Sequence, residues 1–233
     1  MSGEQRIWAL LPAAGTGRRM AAEVPKQYLP VAGKCVIEHT VEALCRCGRI
    51  SGVVAAVAEA DPHWRELELE RRYPVERVAG GAERAESVLN GLEYLLSKTS
   101  GDDWVLVHDA VRPCLDPRDL ESLLRVALET GDGAILAIPV RDTMKRVRGS
   151  RIRETVPRED LWQAQTPQMF PLALLHQALQ RAAGAGLVVT DESQAMERQG
   201  FAPRVVEGRT DNIKITRPED LQQAARYLER AAH

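Results

Sequence analysis

The stretch that decides the fold is IWALLPAAGTGRRM, residues 7–20. Its first five residues are all apolar, and a cluster of proline, glycine and small residues follows them directly. A short, continuous apolar run that ends in such a cluster is typical of a buried strand in a parallel sheet. We therefore predict a central strand over residues 7–11, with a tight turn at its carboxyl end.

Further apolar runs of the same kind lie downstream, at residues 53–58, 104–107 and 134–138, and a later strand is predicted at residues 203–206. Strands that alternate with helices of 10–15 residues indicate βαβ units, a mostly parallel sheet and right-handed crossovers. The predicted fold is therefore α/β, Rossmann-like and doubly wound. Segments with helical periodicity separate and follow the strands, and they are residues 36–44, 62–72, 84–96, 117–129, 172–183, 191–199 and 218–231.

The alternation breaks at residues 141–158, a charged segment with Gly149 and Ser150 at its centre. Residues 143–147 and 152–156 flank this turn in the way that two strands flank a hairpin turn. Few of these residues could face a core, so the segment is predicted to protrude as a β-hairpin arm that is better ordered against another subunit. We interpret residues 1–233 as a single domain, with residues 141–158 as its dimerisation arm.

Composition narrows the classes of partner. The 233 residues are 44% hydrophobic and 27% charged, and the net charge of −2 provides no overall attraction for nucleic acid or an anionic membrane. No stretch approaches the roughly 20 apolar residues that span a bilayer, so we expect a cytoplasmic protein without nucleic-acid or membrane partners. The four cysteines form no CxxC pair, which argues against a zinc site. Any anionic ligand must then be held by a local cluster of cations.

Such a cluster follows the first strand. Gly15 and Gly17 allow main-chain N–H groups to approach a phosphate closely, although Gly-x-Gly also fits a plain turn between a strand and a helix. The segment lacks the GKS or GKT ending of a P-loop and the third glycine of a dinucleotide-binding turn. Arg18, Arg19 and Lys26 lie within nine positions. This density of cations favours a triphosphate ligand.

A candidate metal ligand follows the strand at residues 104–107. Asp109, in the segment VHDAVRP, is predicted at the carboxyl end of a buried strand, where open α/β sheets bind ligands. Mg²⁺ prefers one or two carboxylates together with phosphate oxygens. A structural alternative is that Asp109 caps the next helix. Pro113 and Pro117 separate it from that helix, which makes the metal role the stronger interpretation.

Two more segments offer candidates. In GRTDNIKIT, residues 208–216, Asp211 could supply a second metal carboxylate and Lys214 a phosphate contact. The spacing alone fits a structural role equally well. Gly81 opens a predicted helix and could offer N–H groups to a base or a phosphate, with Ser87 one turn further on, and a plain turn is again an equal alternative.

Taken together, these motifs resemble the 2-C-methyl-D-erythritol 4-phosphate cytidylyltransferases of the non-mevalonate isoprenoid pathway. The resemblance runs in order from about residue 7 to residue 228. One departure is Ala82, which follows the two glycines where the family often carries an acidic residue. The matching segments are PAAGTGRRM with PKQY, GGAERAESVLNGL, VHDAVRP, PVRDTMKR, WQAQTPQMF, VVTDESQAME and VEGRTDNIKITRPEDL.

The resemblance implies a role for each matching residue. The expected metal ligands for Mg²⁺ are Asp109 and Asp211. In this family the hairpin clasps a partner in a homodimer, so Thr143 and Arg158 are expected to serve the neighbouring subunit's site. The expected catalytic cations are Arg19, Lys26 and Lys214. The residues expected to bind CTP are Ala13, Ala14, Gly15, Gly17, Gly81, Ser87 and Ala110. Those expected to bind the acceptor phosphate are Arg112, Thr143, Arg158 and Thr190.

The implied reaction is attack by the phosphate of methylerythritol 4-phosphate, a small polyol phosphate, on the α-phosphorus of CTP, which releases pyrophosphate. A phosphate monoester has a second pKa of about 6, so this nucleophile needs no general base at neutral pH. One alternative is a ribitol 5-phosphate cytidylyltransferase, which shares the glycine turn and the Asp-Ala-x-Arg-Pro segment. A second alternative is a regulatory module that binds a nucleotide without turnover. By resemblance, residues 142–145 (DTMK) favour the methylerythritol enzyme.

Overall fold

A computed structural model describes residues 5–15, 24–99 and 101–231. Within these ranges no helix is both long and apolar enough to cross a membrane. The strands are β1 (Ile7–Pro12), β2 (Pro30–Val31), β3 (Lys34–Cys35), β4 (Ile50–Val57), β5 (Val75–Ala79), β6 (Trp104–Val107), β7 (Ala134–Pro139), β8 (Met144–Arg148), β9 (Arg151–Val156), β10 (Trp162–Pro171) and β11 (Arg204–Glu207). The helices are α1 (Val36–Cys45), α2 (Pro62–Leu67), α3 (Leu69–Arg72), α4 (Arg84–Lys98), α5 (Pro117–Thr130), α6 (Leu172–Gly184), α7 (Glu192–Glu197) and α8 (Pro218–Ala231).

Seven strands form the central sheet, in the order β11-β7-β10-β6-β1-β4-β5. Strand β1 runs parallel to both of its neighbours, β4 and β6. The β4–β5 and β7–β11 pairs are parallel as well, whereas β10 runs antiparallel between β6 and β7. The predicted α/β fold with a mostly parallel sheet is therefore confirmed.

Helices cover both faces of this sheet. In β1, Ala9 and Leu11 belong to the hydrophobic cluster that contains the buried faces of α1 and α5. Leu10, between them, belongs to the cluster that contains the buried residues of α4, α6 and α7. Successive side chains of a strand point to opposite faces, so a fully apolar strand is required when both faces are covered. This arrangement confirms that the fold is doubly wound.

The sheet contains two strands that the hydrophobic pattern does not predict, β5 and β10. In β10 the pattern is hidden because Gln165 and Gln168 are buried, and each is held by hydrogen bonds. Gln165 Nε2 donates to the carbonyl oxygen of Arg209 (3.1 Å), and Gln168 Nε2 donates to Asp191 Oδ2 (2.9 Å). Strand β5 lies at the edge of the sheet, and its two adjacent charged residues, Glu76 and Arg77, interrupt the apolar pattern. The helix predicted at residues 62–72 is divided into α2 and α3.

The structure has the predicted hairpin. Strands β8 and β9 pair antiparallel with each other in a separate two-stranded sheet. Every residue of β8 is exposed, as are the first five of β9. The hairpin therefore projects from the central sheet and its two helical layers, as the charged composition of residues 141–158 predicts.

Gly133, just before β7, provides a test of the packing between β7 and β10. Its φ is 88°, and a Cβ atom there would lie 2.6 Å from the Met169 carbonyl oxygen and in conflict with the Phe170 ring. Gly133→Ala should therefore combine left-handed strain of about 1–2 kcal/mol with overpacking of about 1–3 kcal/mol. We predict a loss of about 2–5 kcal/mol in the free energy of unfolding, measured by urea denaturation.

The matched control is Gly131→Ala. Gly131 ends α5 with a φ of 79°, and a Cβ atom at this position would have no neighbouring atom within 4 Å. This variant should show the backbone strain alone, about 1–2 kcal/mol. Equal losses in the two variants would contradict the steric account of Gly133.

Candidate active site

A cleft opens at the carboxyl ends of β1 and β6, the edge at which α/β sheets bind ligands. The turn after β1, the turn before α4, the segment after β6 and the segment around residue 214 form its walls. The structure thus brings most of the predicted nucleotide-site residues together. Those that line the cleft are Ala13, Ala14, Gly15, Lys26, Gly81, Ser87, Asp109, Ala110 and Lys214.

Three of the residues that the sequence singled out, Gly17, Arg18 and Arg19, lie outside the described residues. Hydrogen bonds from the side chain of Gln27 hold residues 13–15 of the glycine turn in place. Its Nε2 atom donates to the carbonyl oxygens of Ala13 (2.9 Å) and Gly15 (3.1 Å). The turn is further attached to the sheet, because the Ala13 N–H donates to the carbonyl oxygen of Ala56 (2.8 Å).

The turn before α4 packs directly on the glycine turn. Gly80 is required there, because a Cβ atom at this position would collide with Cβ of Ala14. The Gly81 N–H donates to Ser87 Oγ (3.0 Å), and the Ala82 and Glu83 N–H groups donate to Glu86 Oε2 (2.8 and 3.2 Å). In this structure, side chains of α4 therefore accept the hydrogen bonds that we expected the turn to offer to a ligand.

Asp109 is a buried carboxylate surrounded by three cations. Its oxygens lie 3.1 Å from Arg84 Nε, 2.9 Å from Lys214 Nζ and 3.5 Å from Arg112 Nε. Burial by itself raises the pKa of a carboxyl group, but here the charges of Arg84, Lys214 and Arg112 outweigh it and hold the Asp109 pKa well below its ordinary value. Asp109 is therefore an anion at physiological pH.

Arg84 is a site residue that the sequence analysis did not single out. It is the first residue of α4, and it lines the cleft. Its two terminal nitrogens bind the carboxylate of Glu192 at 2.6 and 3.1 Å, while its Nε binds Asp109. Glu192 is fully buried at the start of α7, and this pair joins α7 to the cleft. In the sequence, the position of Arg84 directly after the turn that contains Gly80 and Gly81 could have indicated its place in the site.

His108 was also not singled out. It is completely buried, and burial lowers its pKa to about 4 despite the neighbouring Asp109 carboxylate. Its Nε2 atom lies 3.1 Å from the carbonyl oxygen of Arg112, and its Nδ1 atom lies 3.0 Å from Thr166 Oγ1. The Asp109 N–H also donates to Thr166 Oγ1 (3.0 Å). The backbone of Asp109 is thus hydrogen-bonded to β10.

Arg112 lies behind Asp109 and is largely buried. Its Nη1 atom donates to the carbonyl oxygen of Asn212 (2.6 Å), a residue of the segment that carries Lys214. Burial lowers the pKa of Arg112, and the attraction of Asp109 opposes this effect. Arg112 therefore links the segment after β6 to the segment around Lys214.

The structure does not bring Asp211 into the cleft with Asp109. Its carboxylate is bound by Arg209, with Nε 3.0 Å from Oδ1 and Nη2 2.5 Å from Oδ2. Asp211 and Arg209 line a different groove, which Asp116 and Cys114 also line. Among the described residues, no three His, Cys, Asp or Glu side chains are grouped closely enough to hold a metal ion.

The remaining predicted substrate contacts lie on exposed surface in a single chain. Thr143 and Arg158 stand at the base of the hairpin, where Arg158 Nη1 donates to the carbonyl oxygen of Arg141. Thr190 is exposed just before α7, and its N–H donates to Gln194 Oε1 (2.8 Å). These three residues are absent from the lining of the cleft described above.

Comparisons with known proteins identify the family of this chain. Residues 7–230 match the family model described as 2-C-methyl-D-erythritol 4-phosphate cytidylyltransferase. A protein of that name from Pseudomonas aeruginosa is 52% identical over 222 residues, which cover 94% of this chain and 95% of the relative. One from Citrobacter koseri is 51% identical over 227 residues, with 96% of each chain covered.

Superposition on solved structures identifies the same family. A crystal structure of 4-diphosphocytidyl-2C-methyl-D-erythritol synthase superposes with a TM-score of 0.85 at 36% identity, covering 97% of this chain and 100% of the other. The cytidylyltransferase of Francisella tularensis superposes with a TM-score of 0.83 at 31% identity, covering 96% and 100%. The chain therefore belongs to the 2-C-methyl-D-erythritol 4-phosphate cytidylyltransferase family.

Proposed function

We propose that this chain transfers CMP from CTP to 2-C-methyl-D-erythritol 4-phosphate and releases pyrophosphate. The product is 4-diphosphocytidyl-2-C-methyl-D-erythritol, a precursor in isoprenoid biosynthesis. The observation that carries the proposal is the cleft itself, in which the glycine turn, Lys26, Lys214 and the ionised Asp109 meet in a chain of this family. Free cysteines, as found at all four positions, are usual in a reducing compartment, and they support a cytoplasmic location.

The chemistry requires charge neutralisation and no proton transfer. An oxygen of the acceptor phosphate forms a bond to the α-phosphorus of CTP, and the bond from that phosphorus to the bridging oxygen breaks. Pyrophosphate leaves with the bonding electron pair. The acceptor dianion and the triphosphate repel each other, so catalysis depends on their positioning and on cations directed at the developing charge.

The cleft provides such cations locally. Lys26, Arg84 and Lys214 are three of the five charged residues in its described lining, although the whole chain carries a net charge of −2. Lys26 Nζ donates to the carbonyl oxygen of Ile215 (3.3 Å), so Lys26 and Lys214 lie on segments in contact. We propose that Lys26 and Lys214, together with Arg19, stabilise the transition state.

We propose Mg²⁺ as the cofactor, held by Asp109. The fit is chemical: an ionised carboxylate lines a cleft suited to a triphosphate, and Mg²⁺ prefers one or two carboxylates together with phosphate oxygens. When bound, the ion would supply positive charge to the phosphates. Asp211 is the second proposed ligand, and its carboxylate would have to exchange Arg209 for the metal.

We propose that the working enzyme is a homodimer. The hairpin exposes Val147 and Ile152, which are 52% and 63% accessible, and exposed apolar side chains of this kind are typical of a surface that a partner covers. In the proposed dimer, Thr143 and Arg158 of one subunit and Arg112 and Thr190 of the other bind the acceptor phosphate. Such sharing would explain why residues at the base of the hairpin do not line the cleft of their own chain.

The acceptor can be identified by measuring pyrophosphate release from CTP. We expect rapid release with methylerythritol 4-phosphate and much slower release with ribitol 5-phosphate, and a chelator of divalent cations should abolish both. Faster release with ribitol 5-phosphate would show that the acceptor is wrong. Binding of CTP without release under either acceptor would favour the regulatory module.

The two lysines can be tested by substitution. Lys26→Ala and Lys214→Ala should each lower kcat by about 10²–10³-fold, as is typical when one preorganised contact to the transition state is lost. Circular dichroism should show both variants folded. Lys98→Ala, which removes an exposed lysine from the carboxyl end of α4, is the matched control and should keep its turnover. Normal turnover in both cleft variants would refute the roles assigned to them.

The shared site can be tested by subunit mixing. Arg158→Ala and Lys26→Ala should each be nearly inactive alone. When the two are unfolded and refolded together, one site of each heterodimer regains both residues, so activity should return. Mixing Arg158→Ala with a chain that carries both substitutions is the control and should restore nothing. Absence of rescue in the first mixture would count against the shared geometry.

A further inference from the structure

His108 is a buried residue without an assigned role. Its side chain is fully enclosed, and both ring nitrogens have hydrogen-bond partners. Those partners belong to two different segments: the Arg112 carbonyl group follows β6, and the Thr166 hydroxyl group lies in β10. His108 therefore joins the two chain segments that flank Asp109.

The chemistry of the groups fixes the direction of each hydrogen bond. The Arg112 carbonyl oxygen can only accept, so His108 Nε2 carries the hydrogen and donates. His108 is fully buried and neither ring nitrogen is hydrogen-bonded to a carboxylate, so the imidazole is neutral. The other nitrogen then accepts, and the Thr166 hydroxyl donates to Nδ1. The Asp109 N–H can only donate, and Thr166 Oγ1 accepts from it. The result is a one-way chain from Asp109 through Thr166 and His108 to Arg112.

Further hydrogen bonds attach this chain to the opposite wall of the cleft. The Arg112 N–H donates to the Asp109 carbonyl oxygen (3.0 Å), which closes the chain into a ring. Asn212 Nδ2 donates to the Thr166 carbonyl oxygen (2.9 Å), and Arg112 Nη1 donates to the Asn212 carbonyl oxygen (2.6 Å). Asn212 lies two residues before Lys214, so the ring contacts the segment that carries the cation nearest to Asp109.

We propose that His108, acting through the Thr166 hydroxyl, is a positioning residue that holds Asp109 in place for the transfer reaction. A second consequence concerns Thr166 itself. Its hydroxyl hydrogen is committed to His108, so towards a bound ligand Thr166 can accept a hydrogen bond but cannot donate one. The catalytic part of this inference rests on the proposed function, whereas the order of hydrogen bonds does not.

Substitutions at Thr166 can separate the effect of its hydrogen bonds on catalysis from the effect of side-chain packing. Thr166→Val keeps the shape and removes the hydroxyl, and Thr166→Ser restores it. Thr166 binds the main-chain N–H of Asp109, and hydrogen-bond partners that orient a metal-ligating residue typically contribute about 10–100-fold to activity or metal affinity. We expect Thr166→Val to lower kcat by about 10–100-fold with little change in the KM for CTP, and Thr166→Ser to recover most of the loss.

Nitrogen-15 NMR of the metal-free, ligand-free enzyme provides a readout that does not depend on activity. The His108 ring should be neutral, with its hydrogen on Nε2 and not on Nδ1. Its Nδ1 signal should shift in Thr166→Val, which lacks the donor, and return in Thr166→Ser. A hydrogen on Nδ1, or an Nδ1 signal that is the same in all three proteins, would overturn the assigned order of hydrogen bonds.

Asp103→Asn is the matched control for stability. Asp103 is buried at the opposite end of β6, where it accepts hydrogen bonds from the Arg6 N–H and Trp8 Nε1 (both 3.0 Å). Asp103→Asn should lower the free energy of unfolding without lowering kcat.

Equal losses of kcat in Thr166→Val and Thr166→Ser, or none in Thr166→Val, would overturn the positioning role. Failure of the unmodified enzyme to release pyrophosphate would instead refute the proposed function, and the NMR result would still test the hydrogen bonds.

Discussion

The carboxylate of Asp109 is buried at the ligand-binding edge of the sheet, and a buried charge is tolerated in a protein when opposite charges and hydrogen bonds compensate for its lost hydration. Arg84, Arg112 and Lys214 provide that compensation, and each comes from a different segment of the chain. The requirement to keep one carboxylate ionised therefore fixes the relative positions of α4, the segment after β6 and the segment before α8. Two of these cations, Arg84 and Lys214, also line the cleft in which we propose that a triphosphate binds.

The topology of the sheet explains how these segments meet. Strand β6 lies between β1 and the antiparallel β10, so the glycine turn, Asp109 and Thr166 reach the same region from three neighbouring strands. Strand β10 runs away from this edge of the sheet, whereas a parallel strand in its place would run towards it. Because β10 enters the sheet at its end nearest the cleft, the side chains of Gln165 and Thr166 in its first half can bind backbone groups there.

Much of the architecture was predictable because it depends on short-range patterns. Continuous apolar runs predicted β1, β4, β6 and β7, and the charged segment at residues 141–158 predicted the hairpin. Strand β10 was missed because Gln165 and Gln168 interrupt its apolar pattern, and their burial depends on distant partners. Arg84 and Glu192, 108 positions apart, form a pair that leaves no local signature in the sequence.

The sequence by itself determined the alternating fold, the arm, the glycine turn with its cations, and the ordered motifs that resemble one enzyme family. These features depend on periodicity and on residue identity, which can be read along the chain. Only the tertiary structure decided which charges meet: Asp109 with three cations, and Asp211 with Arg209 at a different groove. The physical reason is that an ion pair depends on the position and direction of side chains from segments far apart in sequence, and spacing along the chain contains neither.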